Sequence, residues 1–335
     1  MSIILSGIQP SGSLTLGNYL GAIKNFVKFQ EDLKEGDELF VFIADLHAIT
    51  VPQDPTKLRD NIKKLAALYL ACGLDPSKST LFIQSEVKEH AELAYILQSI
   101  TYIGELERMT QYKDKKQKQV EGVSTALLTY PILMAADILL YNSDYVPVGV
   151  DQKQHLELAR NLAERFNYRY SETFKVPESL IQKTGSKIMS LQNPEKKMSK
   201  SDDNEKASIY LTDNEATIRK KIASSVTDSD NSIIFDPVNK PGISNLLSIY
   251  ASCKGISIED AVNENQNINY GIFKTRVADE VCRLLIPIQE RYNSILNDNE
   301  YLNKVLDEGR DKASFFARKM MAKVNRKVGV GRKNN

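Results

Sequence analysis

The sequence predicts an α/β protein, a doubly wound parallel sheet followed by an all-helical C-terminal domain. Three observations carry the prediction. As far as about residue 205, short apolar runs of strand length alternate with long segments of helical period; polar, glycine-rich or basic residues follow the ends of those runs; and from Asn214 onward periods near 3.6 dominate while strand signals nearly vanish. Strands that alternate with helices of this length need crossover connections, which makes the sheet parallel and the domain Rossmann-like.

The elements follow in order. Ile3 to Ser6 is a buried-strand run that opens into the turn-rich loop Gly7-Ile8-Gln9-Pro10-Ser11-Gly12-Ser13, and an amphipathic helix runs from about Thr15 to Leu33. Leu39 to Ile43 is a second strand, with Ala44-Asp45-Leu46-His47 at its end. Asp54 and Pro55 read as N-cap and first position of a helix to Ala71, stopped by Gly73. Leu81 to Ile83 is a third strand, followed by helical patterns to Met109, and the almost continuously apolar Ser124 to Tyr141 is a buried helix. Tyr145 to Val148 is a fourth strand ending in Gly149-Val150-Asp151-Gln152, with a long helix to about Phe166. Lys187 to Leu191 is predicted as the fifth strand, with Lys196-Lys197-Met198-Ser199-Lys200-Ser201 directly after it. The domains are then 1–205, with a helical insertion over about 85–142, and 206–335, helical and ending in a basic helix.

Composition narrows the function classes. Of 335 residues, 42% are hydrophobic and 26% charged, which suits a globular protein of one large or two smaller domains. With 44 basic against 43 acidic residues there is no global field, so a polyanionic partner must be met by local patches. Two are present: Tyr112 to Lys118, and Arg318 to Asn335, which carries seven Lys or Arg and no acid. Cys72, Cys253 and Cys282 are too few and too far apart for a disulfide framework or a CxxC metal site, which points to a reducing, cytoplasmic compartment. No secretory n-region and no apolar run of transmembrane length is present, so no membrane association is expected.

In a doubly wound sheet the ligand lies outside the carboxyl ends of the strands. The glycine loop, His47, Gly149 to Gln152 and the lysines are all expected at that edge, and their convergence says more than any one motif. Lys197 and Lys200 can place two ammonium groups on one multiply charged anion, although a lysine run is as readily a solvated turn. Gly17 permits close backbone approach to a nucleotide, and Thr15 and Asn18, three apart in the first helical turn, can face one ligand; an N-cap with a tight turn is the alternative. Tyr130, Met134 and Asp137 fall at i, i+4 and i+7, on one face of an apolar helix. Asp137 is then buried and needs a donor, either from the protein or from a ligand whose analogues without the donor would be rejected. Asp151 suits a ribose hydroxyl or a plain N-cap, and Gln152 a small polar head group. His47, His90 and His155 lack metal-site spacing; His47 alone stands at a strand end, and the other two read as structural or surface residues. No Ser/His/Asp or Cys/His arrangement is present, which favours positioning and charge stabilisation without a covalent enzyme nucleophile.

On these residues the sequence resembles the class I aminoacyl-tRNA synthetases, in their bacterial tryptophanyl branch. Lys197-Met198-Ser199-Lys200-Ser201 matches the class lysine loop in full, and Thr15-Leu16-Gly17-Asn18 stands at the class His-x-Gly-His element. The resemblance extends over nearly the whole chain, including Gly7 to Gly12, Ile103 to Gln111, Ala135 to Tyr141 and Gln152 to His155. It implies that Gln9, Pro10, Ser11, Gly17 and Asn18 hold the ATP adenosine and phosphates, that Gly149, Val150, Asp151 and Ile188 line ribose and adenine, and that Lys197 to Ser201 close on the phosphates. It further implies that Asp137 accepts the indole N–H of tryptophan, with Met134, Val146 and Val148 around the ring, Leu5 near it, Tyr130 and Gln152 on the amino-acid head group, and His47 among the substrate-binding residues. Lys197, Lys200, Thr15 and Asn18 would be the catalytic set.

The implied reaction is tryptophan activation by ATP with Mg²⁺, followed by transfer to tRNA(Trp), by a homodimer whose helical domain reads the anticodon. Three departures stand out: Thr15 and Asn18 replace the two class histidines, as is usual in this branch; Leu5 stands where relatives often have an aromatic residue near the substrate ring; and Val150 stands where many have an acid. A tyrosine-specific synthetase, a non-catalytic RNA-binding or amino-acid-sensing paralogue and a nucleotidylyltransferase are the rival readings.

Overall fold

Alternating side chains on the central strands divide the interior into two cores. The computed structural model describes residues 2–10, 12–117, 122–149, 152–180, 187–199, 202 and 204–332. Five parallel strands, β1 (Ile3–Ile8), β2 (Glu38–Ile43), β3 (Thr80–Ile83), β4 (Tyr145–Pro147) and β5 (Glu178–Leu180), form one sheet in the order β3-β2-β1-β4-β5. On β2, Leu39, Val41 and Ile43 enter one core while Phe40 and Phe42 enter the other, the period-two consequence of the pleat. Both faces of the central strands are covered, so β2 and β3 read as nearly unbroken apolar runs, whereas the edge strand β5 is polar and exposed. The chain leaves β1 toward β2 and β3, then returns to place β4 on the other side of β1. The β1/β4 gap is therefore the topological switch point, where a doubly wound sheet forms its ligand crevice.

The helices obey the predicted signals closely. Leu16–Asn18 (α1), a π-helical segment Tyr19–Ile23 and Lys24–Glu31 (α2) succeed one another after β1. A short α3 (Asp45–Ala48) follows β2, and in α4 (Pro55–Ala71) the Asp54 carboxylate accepts from Thr56 N and Lys57 N at 2.8 and 2.9 Å. Between β3 and β4 lie α5 (Glu89–Gln98), α6 (Ile103–Glu107), α7 (Thr110–Gln117) and the buried α8 (Thr125–Leu140), capped by Ser124. Then come α9 (Lys153–Tyr170), α10 (Glu215–Ala223), α11 (Pro241–Lys254), α12 (Ile258–Asn265), α13 (Tyr270–Asn297) and α14 (Asn299–Val328).

The helices beyond residue 205 share their core with the sheet. Residues of α10, α11 and α13 join one core, and α14 contributes to both: Leu302, Val305 and Leu306 on one side, Ala313, Ala317, Met321 and Val324 on the other. The helix thus straps the edge strand β3, against which it packs. Gly309 lies at the crossing, where an added Cβ would sit 1.8 Å from the Leu81 carbonyl oxygen, so only a glycine admits this approach. An uncovered strand edge invites pairing with another chain, and the strap covers part of it.

One expected strand is different. Lys187 to Leu191 does not join the sheet; the fifth strand is Glu178–Leu180. Ile188 and Leu191 are buried as a strand pattern demands, but the backbone finds other partners: Ser190 N donates to Lys196 O, Met198 N to Ile188 O and Leu191 N to Ala207 O. The segment is one arm of a tight antiparallel turn, bridged at Met189 and Lys197, that carries the lysines. A short apolar run marked an extended chain but could not say which neighbour completes its hydrogen bonds.

Candidate active site

At the switch point a cavity of about 500 Å³ opens between β1, β4 and α8. Leu5 and Gln9 line it from β1 and beyond, Val146, Val148 and Gly149 from β4 and beyond, and Gln152 from the approach to α9. The predicted face of α8 points into it, with Tyr130, Met134 and Asp137 all on its wall, and His47 of α3 joins them.

Asp137 is buried and surrounded by donors. Its Oδ1 accepts from Gln84 Nε2 at 2.7 Å and lies 2.6 Å from His90 Nδ1; its Oδ2 lies 2.7 Å from His47 Nε2. Gln84 is fixed by its other end, where Oε1 accepts from Leu46 N. Burial pushes the Asp137 carboxyl up, but the hydrogen bonds from His47 and His90 outweigh it and hold the group at about 2. The carboxylate is therefore ionised throughout the neutral range. Two oxygens offer about four acceptor positions, and the protein fills three, so of the two alternatives the donors come first from the protein. The fourth position, on Oδ2, remains.

The polar rim is similarly wired. Tyr130 Oη lies 3.1 Å from His155 Nε2 and donates to Gln111 Oε1 at 3.2 Å, while His155 Nδ1 lies 2.8 Å from Gln152 Oε1. Burial pushes the Tyr130 phenol up to about 12, so it keeps its proton as a donor.

The first loop and the lysine loop meet, although the lysines do not follow a sheet strand. Gly17 faces Met198 and Ile188; a Cβ added to it would lie 3.5 and 3.7 Å from theirs, an ordinary contact. The protein's own packing thus leaves room for alanine at this position. Thr15 is fully buried as the cap of α1, its hydroxyl bonded to Asn18 Oδ1 at 3.0 Å, so Thr15 does not face a ligand alongside Asn18 but orients it. Leu16 N donates to Ile209 O and Leu211 N to Leu14 O, which ties this loop to the chain just after the lysines. Asn245 of α11 clamps Met189 from both sides, accepting from its N at 2.8 Å and donating to its O at 2.9 Å. Lys197 and Ser199 lie on the turn, Lys197 exposed, with Met198 buried beneath. Pro10 is buried beside the cavity residue Gln9. Ser11, Val150, Asp151, Lys200 and Ser201 lie outside the described residues.

Residues 1–285 match the family model of class I tRNA synthetases of the W and Y type, well over half of the chain. The chain belongs to this family. Curated relatives agree along its whole length: the synthetase is 60% identical over 333 residues to a tryptophan–tRNA ligase of Oceanobacillus iheyensis, covering 99% of this chain and 100% of that one. With the tryptophan–tRNA ligase of Bacillus subtilis it shares 56% over 330 residues, 98% of each. Its fold matches the tryptophanyl-tRNA synthetase of Mycoplasma pneumoniae with a TM-score of 0.87 at 39% identity, covering 99% and 98% of the two chains. It matches that of Campylobacter jejuni, solved with ADP and tryptophan, with a TM-score of 0.84 at 38% identity, covering 98% and 100%.

Sequence reasoning about the synthetase missed Gln84, His90, Tyr141, His155, Gln111 and Asn245. Gln84 was within reach, because it directly follows β3 and the strand-end rule applies to it. His155 stands one helical turn after Gln152, on the same face. His90, Tyr141 and Asn245 carry no local signal.

Proposed function

We propose that this synthetase activates L-tryptophan with ATP to tryptophanyl-adenylate and pyrophosphate and transfers the tryptophanyl group to tRNA(Trp). The observation that carries the reading is the ionised Asp137 on the wall of the cavity, with one acceptor position open. An indole brings one donor and no acceptor, which matches that position. A phenol hydroxyl would also bring an acceptor lone pair, and the donors around Asp137 are already spent on its carboxylate. Named relatives and the solved structure with tryptophan point the same way.

In this reading Leu5, Met134, Val146, Val148 and His47 enclose the ring, and Tyr130 and Gln152 hold the amino-acid head group. Gln9, Pro10, Ser11, Gly17 and Asn18 take the adenosine and phosphates, Gly149, Val150, Asp151 and Ile188 the ribose and adenine, and Lys197 to Ser201 the triphosphate. The packing of Gly17 against Met198 and Ile188, which brings the first loop onto the lysine turn, supports this. A carboxylate oxygen of tryptophan attacks the α-phosphorus and the bond to the bridging oxygen breaks. Lys197 and Lys200 offset the charge growing on the departing pyrophosphate. The terminal ribose hydroxyl of the tRNA then attacks the carbonyl and AMP leaves.

In this reading Mg²⁺ would come with the triphosphate, whose oxygens suit a hard cation. Bound there it supplies charge neutralisation. The helices after residue 205 serve tRNA recognition in this reading. Tyr95, Tyr102 and Ile103 remain more than 60% exposed on α5 and α6, and such apolar surface supports a homodimer. Free, buried Cys72 and Cys282 suit the cytoplasm, and no helix among the described residues is long and apolar enough to cross a membrane. ATP–pyrophosphate exchange with each amino acid in turn tests the whole reading: exchange with tryptophan alone is expected, and comparable exchange with tyrosine, or none with any amino acid, overturns it.

A further inference from the structure

We infer that His90, oriented by Tyr141, is a positioning residue for the indole-binding carboxylate. The two act as a directional chain, Tyr141 O–H to His90 Nε2 and His90 Nδ1–H to Asp137 Oδ1, that turns Oδ2 alone toward the substrate. This rests on the assignment of Asp137 to the indole.

Neither His90 nor Tyr141 lines the cavity, and they are 0% and 1% exposed. The imidazole sits in an aromatic box, with ring centroids 5.9 Å from Phe42, 5.9 Å from Phe82 and 5.4 Å from Tyr141. Its nitrogens lie 2.6 Å from Asp137 Oδ1 and 2.8 Å from Tyr141 Oη. The polarity of the chain follows from counting donors. Burial drives the Tyr141 phenol well above its ordinary value, so the hydroxyl keeps its proton and must donate it, and Nε2 of His90 is the partner within reach. Nε2 is then an acceptor, the ring proton lies on Nδ1, and Nδ1–H points at the carboxylate. His90 and Gln84 together saturate Oδ1, both from behind the cavity wall, whereas His47, which does line the cavity, takes one position on Oδ2. The unfilled position is thereby confined to the oxygen that faces the ligand.

The test separates positioning from mere packing by using an analogue. The benzothiophene analogue of tryptophan carries sulfur in place of the indole N–H and gains nothing from Oδ2. In pyrophosphate exchange, His90→Gln, which has no nitrogen at the Nδ1 position, is expected to raise the KM for tryptophan about tenfold or more. The inhibition constant of the analogue, the KM for ATP and kcat should all stay within about threefold, so discrimination between the two ligands narrows. His90→Asn places an amide nitrogen near the Nδ1 position and should recover most of the loss, and Tyr141→Phe should show the same split at smaller size. If His90→Gln does not fold, the nearly isosteric Tyr141→Phe carries the test. Equal weakening of tryptophan and analogue, or no advantage of Asn over Gln, overturns the inference. Asp137→Ala serves as the control. If it narrows discrimination while His90→Gln does not, the inference fails and the indole assignment stands; if Asp137→Ala leaves discrimination intact, the assignment itself fails.

Discussion

Replacing Asp137 by Asn keeps the volume and exchanges one acceptor oxygen for a donor. The amide oxygen is best placed at the Oδ1 position, where Gln84 and His90 both donate, which leaves the NH₂ at the Oδ2 position facing His47 Nε2 and the cavity. The indole N–H then meets a donor. For tryptophan the KM is expected to rise on the order of a hundredfold, the scale for an unpaired buried polar group, while the KM for ATP moves less than about threefold. Stability falls as well. A carboxyl lowered from 3.8 to about 2 by its neighbours stabilises the ionised fold by about 2 kcal/mol, which a neutral residue forfeits, and the donor facing His47 adds about 1–3 kcal/mol. The sign of the pH dependence is fixed. Because the folded-state value is depressed, this stabilisation is complete above the unfolded value of 3.8 and is lost as pH falls toward 2. In urea titrations the gap between wild type and Asp137→Asn should be constant from neutrality to about pH 5 and shrink by about 1 kcal/mol by pH 3. Parallel losses for tryptophan and ATP in pyrophosphate exchange, or an unchanged unfolding midpoint at pH 7, would refute the reasoning.

Other expectations concern the lysine turn and the helical strap. Lys200→Ala should lower adenylate formation by roughly a hundredfold or more, and Lys197→Ala by at least about tenfold, with the tryptophan KM little changed; exchange within about twofold of wild type would remove the turn from the mechanism. Asn245→Ala leaves the Met189 N–H and carbonyl without the clamp, at about 2–4 kcal/mol for two lost hydrogen bonds. It should slow exchange without altering the amino-acid preference, although Asn245 lies on α11; an unchanged exchange rate would show that the clamp does not hold the active geometry. Gly309→Ala drives a methyl into the Leu81 carbonyl, so α14 must lift from β3, with a loss of about 3 kcal/mol or more. Thermal melting checks this, and a midpoint within about 2 °C of wild type would mean that the strap yields freely.

Much of this molecule is written locally in its sequence. Apolar runs fixed β1 to β4, Asp54 with Pro55 set the start of α4, the apolar span from Ser124 set α8, and helical spacing alone put Tyr130, Met134 and Asp137 on one wall. These features depend on propensity, capping and periodicity, which act over a few residues and are legible without a fold. Tertiary structure decided which groups complete one another. It moved the fifth strand from Lys187–Leu191 to Glu178–Leu180, because register and partner choice depend on what else is adjacent. It gave Asp137 its donors from residues 47 to 90 positions away in the chain, and drew His90 and Tyr141 into the site although nothing near them in sequence says so. It also wrapped α14 across β3 at Gly309, a meeting of positions more than two hundred residues apart. The sequence alone determined the chemical groups and the faces they occupy; hydrogen-bond partners distant along the chain, and therefore the charge state and direction of Asp137, exist only once the fold has brought them within 3 Å.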